Sequence, residues 1–294
     1  MNELIIGIDL GTTNSEVSIV QNGTAVLIPI DQDDPILPSA VGISQDKTLL
    51  VGREAKNQYV LYPENTVLNI KRHMGTEQTF ILADTHYQPE EISAMILKQL
   101  KGRAEAYLKS PITKAVITVP AYFSDVQRQA TKKAGELAGL EVVRIINEPT
   151  AAALVYNAAQ EVEKRILVYD LGGGTFDVSI VLMRQQVVEV IASHGNNQLG
   201  GNDFDDKIVA YIEKHLAEKN IDIAQNAKAQ ARIRRAAELA KITLSDNPYA
   251  QINEEYLIED TKEPIHLSLE LTRADYEAMI TPYIDETLEA IHIA

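Results

Sequence analysis

The run Lys164 to Val181 reads KRILVYDLGGGTFDVSIV, and it decides the fold. Ile166 to Tyr169 is a short apolar run of the kind a buried strand shows. Asp170 puts a charge at its end, and Gly172, Gly173 and Gly174 follow. Asp177 then precedes a second apolar run, Val178 to Val181. Consecutive glycines let the backbone take positive φ and approach a ligand with no Cβ in the way. Turned inward, their N–H groups form an anion nest of the sort that holds phosphates. Thr175 adds a hydroxyl, and Asp170 and Asp177 add carboxylates suited to a hard cation.

The N-terminus repeats the device. Gly7 to Val20 reads GIDLGTTNSEVSIV. Laid over the first stretch without a gap, Asp9 falls on Asp170, Gly11 on Gly172, and Val17 to Val20 on Val178 to Val181. Two copies in register predict a duplicated domain with two phosphate hairpins facing one cleft. An ordinary Gly-rich turn needs neither the glycine run nor acids on both sides. A Walker P-loop is absent, since GxxxxGK[ST] does not occur. The Rossmann fingerprint fails as well, because the glycines open a second strand rather than a helix.

The chain has 294 residues, enough for two domains or one large bilobal one. Its 27 basic and 42 acidic residues give a net charge of −15, which argues against nucleic acid or anionic membrane as the main partner. Cys is absent, so disulfides, thiol nucleophiles and thiolate metal sites are excluded. The six histidines are scattered without metal-ligand spacing. The first residues lack a secretory signal pattern. No apolar run approaches the roughly 18 residues of a membrane span. These features predict a cytoplasmic protein.

Elsewhere, Asn22-Gly23 signals a hairpin turn. Helices are expected over Pro89 to Lys109, from Ser124 or Asp125 to Ala138 with Gly139 closing it, over Thr150 to Ala159, over Asp203 to Lys219 and over Lys228 to Leu244. A hairpin is expected around Glu259 to Pro264, then a last apolar-periodic helix from Thr272. That helix is still apolar-periodic at Ala294, with no C-cap glycine or breaker at its end, so the chain reads as cut rather than finished. Lys71 and Arg72 read either as a surface pair or as a lysine aimed at a phosphate. Glu148, at a strand's end, reads either as a cap or as a cleft carboxylate. Glu238, Lys241 and Ser245 share one helix face, which is either solvated or a polar wall for a base and ribose.

GIDLGTTNS (Gly7 to Ser15), VPAYFSDVQRQATKKAGELAGL (Val119 to Leu140), IINEPTAAAL (Ile145 to Leu154), DLGGGTFDVS (Asp170 to Ser179) and LGGNDFD (Leu199 to Asp205) closely resemble, in order, the signatures of the DnaK-type chaperones, the 70-kDa heat-shock family. The short segment between Lys71 and Pro89 resembles the HscC branch. The resemblance implies an α/β, actin-like ATPase fold of two lobes, each with a ribonuclease-H-like mixed sheet flanked by helices. The lobes would be residues 1–160 and 161–294, the second incomplete at its C-terminus.

It also implies roles. Gly11, Thr12, Thr13, Asn14, Gly172, Gly173 and Gly174 would bind phosphates. Asp9, Glu148, Asp170 and Asp177 would surround Mg²⁺ and the attacking water, with Asp9 and Asp170 reaching the metal through water. Lys71 would position the γ-phosphate, and Thr175 would lie close to it. Glu238, Lys241 and Ser245 would hold the adenosine, and Gly201 would approach the nucleotide. Pro120 and Arg128 match positions that couple ATP to a second domain, and potassium is implied as a co-ion. A J-type co-chaperone, a nucleotide-exchange factor and client peptides would be the partners.

The chain departs from the pattern in three ways. Ile242 stands where the family usually stacks an Arg on adenine, a loss of about 0.5–2 kcal/mol of cation–π energy. Asn202 stands where Glu is common. The family's third glycine-rich signature, the interdomain linker and the peptide-binding domain would lie beyond Ala294. A sugar or acetate kinase, or an actin-like filament protein, shares the fold. NEPTAAA and VPAYF favour the chaperone. A fragment without independent activity is the other alternative.

Overall fold

The computed structural model describes residues 4–31, 34–156, 163–184, 187–258 and 264–294. β1 (Ile5–Leu10) turns at Gly11–Thr13 into β2 (Asn14–Gln21). Alternation puts Ile6, Ile8, Leu10, Val17 and Ile19 in the core. Asn22 (φ 51°) and Gly23 (φ 80°) make the expected two-residue turn into β3 (Thr24–Leu27); both need the left-handed region that Asn and Gly tolerate. β4 (Leu37–Pro38) adds to β2. β5 (Ala40–Ile43), β6 (Leu49–Val51) and β7 (Thr66–Leu68) form a small separate sheet, with α1 (Arg53–Gln58) beside it. β8 (Phe80–Leu82) and β9 (Thr85–Tyr87) are a short hairpin.

α2 (Pro89–Leu108) leads to β10 (Lys114–Val119), and α3 (Asp125–Leu137) leads to β11 (Glu141–Asn147). Both strands are parallel to β1, so helices must make the crossovers. The result is a mixed six-stranded sheet along β11-β10-β1-β2-β3. Ile92, Ile96, Leu97 and Leu100 of α2 seal its core.

The signals at α3 act as read. Ser124 and Gln127 form a reciprocal capping box, Gln127 Oε1 accepting the Ser124 N–H at 3.0 Å. Gly139 (φ 75°) ends the helix, with Leu140 N–H on Gly135 O at 3.0 Å and Gly139 N–H on Glu136 O at 2.9 Å. Gly135 is inside this helix for another reason. A Cβ there would lie 2.4 Å from Val142 Cγ2 and 3.1 Å from Ile117 Cδ1. Gly135→Ala is therefore expected to lower stability by about 1–3 kcal/mol despite its better helix propensity, read as an earlier urea midpoint.

α4 (Glu148–Tyr156) begins before the expected Thr150, because Pro149 is tolerated in a first turn where its missing N–H has no partner to lose. Residues 157–159 of the expected helix lie outside the described residues. β12 (Lys164–Leu171), β13 (Phe176–Arg184) and β14 (Val187–Asn196) form an antiparallel sheet. Ala153 of α4 packs against Val181 and Met183. The expectation of a buried strand at Ile166 to Tyr169 needs correction. β12 lies at the edge of this three-stranded sheet, and Leu167 and Tyr169 are exposed. β14 was not anticipated.

α5 (Gly201–Glu218) and α6 (Ala227–Asp246) pack on the hairpin of β15 (Tyr249–Ile258) and β16 (Ile265–Thr272) through Ile208, Ile212, Ile233, Ala237, Leu269 and Leu271. The tip of that hairpin, 259–263, lies outside the described residues. α7 (Arg273–Ile293) starts on Thr272, whose side chain accepts the Asp275 N–H at 3.1 Å. Its apolar stripe is less buried than its periodicity predicts. Leu288 is exposed, and only Thr287 and Ala290 are buried. Among the described residues, no helix is long and apolar enough to cross a membrane.

Candidate functional site

A cleft of about 630 Å³ lies where the two glycine hairpins meet. Asp9, Gly11, Thr12, Thr13, Asn14, Lys71, Glu148, Asp170, Gly172, Gly173 and Thr175 all line it. The first turn is tight, since a Cβ on Gly11 would sit 2.0 Å from Asn14 O. Ser39 braces it, donating its hydroxyl to Gly11 O at 2.8 Å and its N–H to Thr13 O at 2.8 Å.

The second turn needs its glycines for a reason other than positive φ, which none of Gly172, Gly173 and Gly174 adopts. For Gly173 and Gly174 the reason is close approach. A Cβ on Gly173 would lie 1.9 Å from Thr13 Oγ1, and one on Gly174 would lie 2.3 Å from Thr12 Cγ2. The two hairpins are in contact. Gly201 and Asn202, opening α5, donate their N–H groups to Gly172 O and Gly173 O at 2.9 and 2.8 Å.

Lys71 lies on a 3-10 turn, Ile70–His73, entered through Asn69 (φ 57°). It is only 5% exposed. Its Nζ is 2.7 Å from Glu148 Oε1 and 5.8 Å from the Phe123 ring centroid. Glu148 is held by its place at the first turn of α4. Asp9 accepts the Thr118 hydroxyl at 2.9 Å, because parallel pairing of β1 and β10 sets the two residues side by side.

The acids outnumber the lysine. Burial works against the charge on Lys71, but Glu148, Asp9 and Asp170 outweigh it and hold its pKa above the usual lysine value. Burial pushes Glu148 up, Lys71 offsets part of the shift, and Asp9 adds to it. Asp170 is raised by burial and Asp9 against the pull of Lys71. An excess of negative charge around one ammonium makes Lys71, Glu148 and Asp170 each hold their protons harder.

Asp177 is 2% exposed and does not line the cleft. Burial raises its carboxyl to about 7, although it accepts the Tyr122 N–H at 3.0 Å. Arg128 shapes the loop that supplies this donor. It donates to Phe123 O at 3.1 Å, Ala121 O at 3.0 Å and Pro120 O at 3.4 Å, and to Asn147 Oδ1 at 2.8 Å.

The α6 residues lie elsewhere. Glu238 pairs with Lys56 at 2.7 Å and lines a smaller crevice. Lys241 pairs with Asp205 at 2.7 Å and donates to Gly201 O at 2.9 Å. Ile242 is 56% exposed, and Ser245 donates weakly to Lys241 O at 3.5 Å. Lys241, Ile242, Ser245, Gly174 and Gly201 do not line the 630 Å³ cleft.

Sequence reading missed Glu16, Thr118, Ala151, Ala152 and Val155, which do line it. Thr118 carried a signal, standing near the end of a strand that pairs with the Asp9 strand. Glu16 carried one too, opposite Asp9 in the hairpin. Burial raises its pKa, with Asp9 and Asp34 adding to the shift. Among the described residues, no group of three or more His, Cys, Asp or Glu is gathered to hold a metal directly. The donors offered are hard oxygens, which suit Mg²⁺ that keeps most of its waters.

A mixed α/β architecture flanked by helices, with paired glycine turns over one cleft, is that of the actin-like ATPase class. The chain matches the family model described as Hsp70 protein over residues 5–294, and it belongs to that family. It thus carries the nucleotide-binding ATPase domain of an Hsp70 chaperone. Hsp70 proteins bind ATP or ADP with Mg²⁺, and work with J-domain co-chaperones, nucleotide-exchange factors and client peptides.

Proposed function

We propose that this chain binds Mg–ATP between its two glycine hairpins and hydrolyses it to ADP and phosphate. The observation that carries the reading is the buried Lys71–Glu148 pair beside Asp9 and Asp170, at the junction of the hairpins. The lobes would divide as residues 1–160 and 161–294. The short β8–β9 segment supports a place in the HscC-like branch of the DnaK-type chaperones. Hydrolysis would regulate a peptide-binding domain, with J-type and exchange-factor partners, and Pro120 and Arg128 would carry the coupling. The compartment would be the cytoplasm, a reading supported by the absence of Cys.

In this reading Gly11 to Asn14 and Gly172 to Gly174 cradle the phosphates. Lys71 stays protonated and sets a point charge against the transferred phosphoryl group. Phosphoryl transfer is mostly positioning and charge stabilisation, so a buried, pinned ammonium is the most effective single contribution. Mg²⁺, near Asp9 and Asp170, would neutralise charge on the phosphate oxygens, and K⁺ would serve as co-ion. Asp177, buried and outside the cleft lining, would act on the attacking water through the charge it shares with Glu148 and Asp170 and not by direct contact. Thr175 would hold the γ-phosphate by its hydroxyl. Glu238, Lys241 and Ser245 would take the adenosine, with Ile242 giving an aliphatic contact to the base and Gly201 close to the nucleotide.

Single-turnover assays with γ-labelled ATP test this. Phosphate release that requires Mg²⁺ and no second substrate is expected. Release that depends on added sugar or acetate would assign the chain to the kinases of the same fold. The hairpin contact gives a second test. Gly173→Ala forces a Cβ against Thr13 and is expected to weaken Mg–ADP binding by about tenfold or more in isothermal titration, a cost of about 1.4 kcal/mol.

A further inference from the structure

We propose that Arg72 is a positioning residue that fastens the turn bearing Lys71 to the glycine loops of the second lobe, through Asp203. Its sequence reading stayed open between a surface pair and a functional one. The side chain is only 14% exposed, and that of Asp203 only 16%. Arg72 Nε donates to Gly174 O at 2.9 Å. Nη1 donates to Asp203 Oδ1 at 3.2 Å, and Nη2 donates to Asp203 Oδ2. Asp203 Oδ2 also accepts the Gly200 N–H at 2.7 Å.

One planar guanidinium therefore spans the Gly172–Gly174 turn and the start of α5, a fork that Lys could not reproduce. Gly201 and Asn202 add their N–H bonds to Gly172 and Gly173, so the two glycine loops are one stitched unit. The neighbouring Lys71 goes instead to Glu148. Adjacent residues of one turn thus grip both sides of the cleft. The loops and the Lys71 turn cannot slide past each other unless the Arg72–Asp203 fork breaks. The functional consequence rests on the ATP reading: the fork sets the distance between Lys71 and the phosphate loops, and it limits how fast nucleotide leaves.

Amide hydrogen exchange of the ligand-free protein tests the fastening itself. Arg72→Ala and Asp203→Asn are each expected to speed exchange across residues 172–175 by about tenfold, with other regions unchanged. Asp203→Asn retains an acceptor for the Gly200 N–H, so a mere helix-capping role would leave exchange as in the parent and overturn the proposal. The double variant should be no faster than either single one; additive effects would also overturn it. Arg72→Lys, which keeps the charge and protects against misfolding, should recover part of the protection.

With nucleotide, each variant should release labelled ADP about tenfold faster and lower kcat, whereas Lys71→Ala lowers kcat alone. A parent without turnover would sink the ATP reading, and the exchange result would still decide the fastening.

Discussion

Lys71→Ala is expected to slow single-turnover ATP hydrolysis on the order of 10³-fold while ADP remains bound. ADP lacks the γ-phosphate that Lys71 would touch, so ground-state binding of the product does not need it. The same substitution leaves Glu148, Asp9 and Asp170 facing one another without a cation. Removing one partner of a buried pair costs about 3–5 kcal/mol. That loss depends on pH. Carboxyls whose folded pKa lies above the unfolded value bind protons more tightly when folded, so stability falls as pH rises through that interval. Glu148 and Asp170 are already shifted up, and loss of Lys71 shifts them further. The variant should therefore be far less stable than the parent at pH 8 and close to it near pH 4, in urea melts at both values. Equal turnover by variant and parent would remove Lys71 from the mechanism.

The second large effect is a stabilising one. Asp177 rises on folding from 3.8 to about 7. Between those values the folded state binds the extra proton, so this group withdraws stability as pH climbs from about 4 to about 7 and withdraws no more above that. Asp177→Asn removes the charge and keeps a carbonyl oxygen for the Tyr122 N–H. It should stabilise the chain by on the order of 2–4 kcal/mol at pH 8, with the gain vanishing near pH 4. Hydrolysis should fall far less than in Lys71→Ala, because Asp177 does not line the cleft. A gain independent of pH would show that packing, rather than ionisation, is responsible. Residues that cost stability and serve chemistry are a recognised feature of catalytic sites.

Much of this was legible in the chain for identifiable reasons. The doubled hairpin showed itself because both turns need glycine beside acids, and that local demand survives in sequence. Ser124, Gly139 and Thr272 marked helix ends because caps are read by adjacent residues. Of the two reasons the sequence suggested for the glycine run, positive φ and close approach, only the second holds, at Gly173 and Gly174. Positive φ is a local property, whereas the close approach is to Thr13 and Thr12, far away in sequence. The exposure of β12 follows from its place at a sheet edge, which no strand's own sequence reports. Lys56–Glu238, Arg72–Asp203 and Lys241–Asp205 link distant segments, and nothing in the sequence of either partner announces the other.

Thermal melts of this 294-residue chain with and without Mg–ADP test the central claim most directly. At about 100 times its Kd, a ligand that binds only the folded state adds about 2.7 kcal/mol, roughly 5 °C for a chain of this size. The account predicts that upward shift, cut to about half in Gly173→Ala at the same ligand concentration and kept in Lys71→Ala. A cooperative transition that does not move with Mg–ADP would contradict it, and would mean that the paired glycine hairpins and the Lys71 cluster do not make a nucleotide site in this chain.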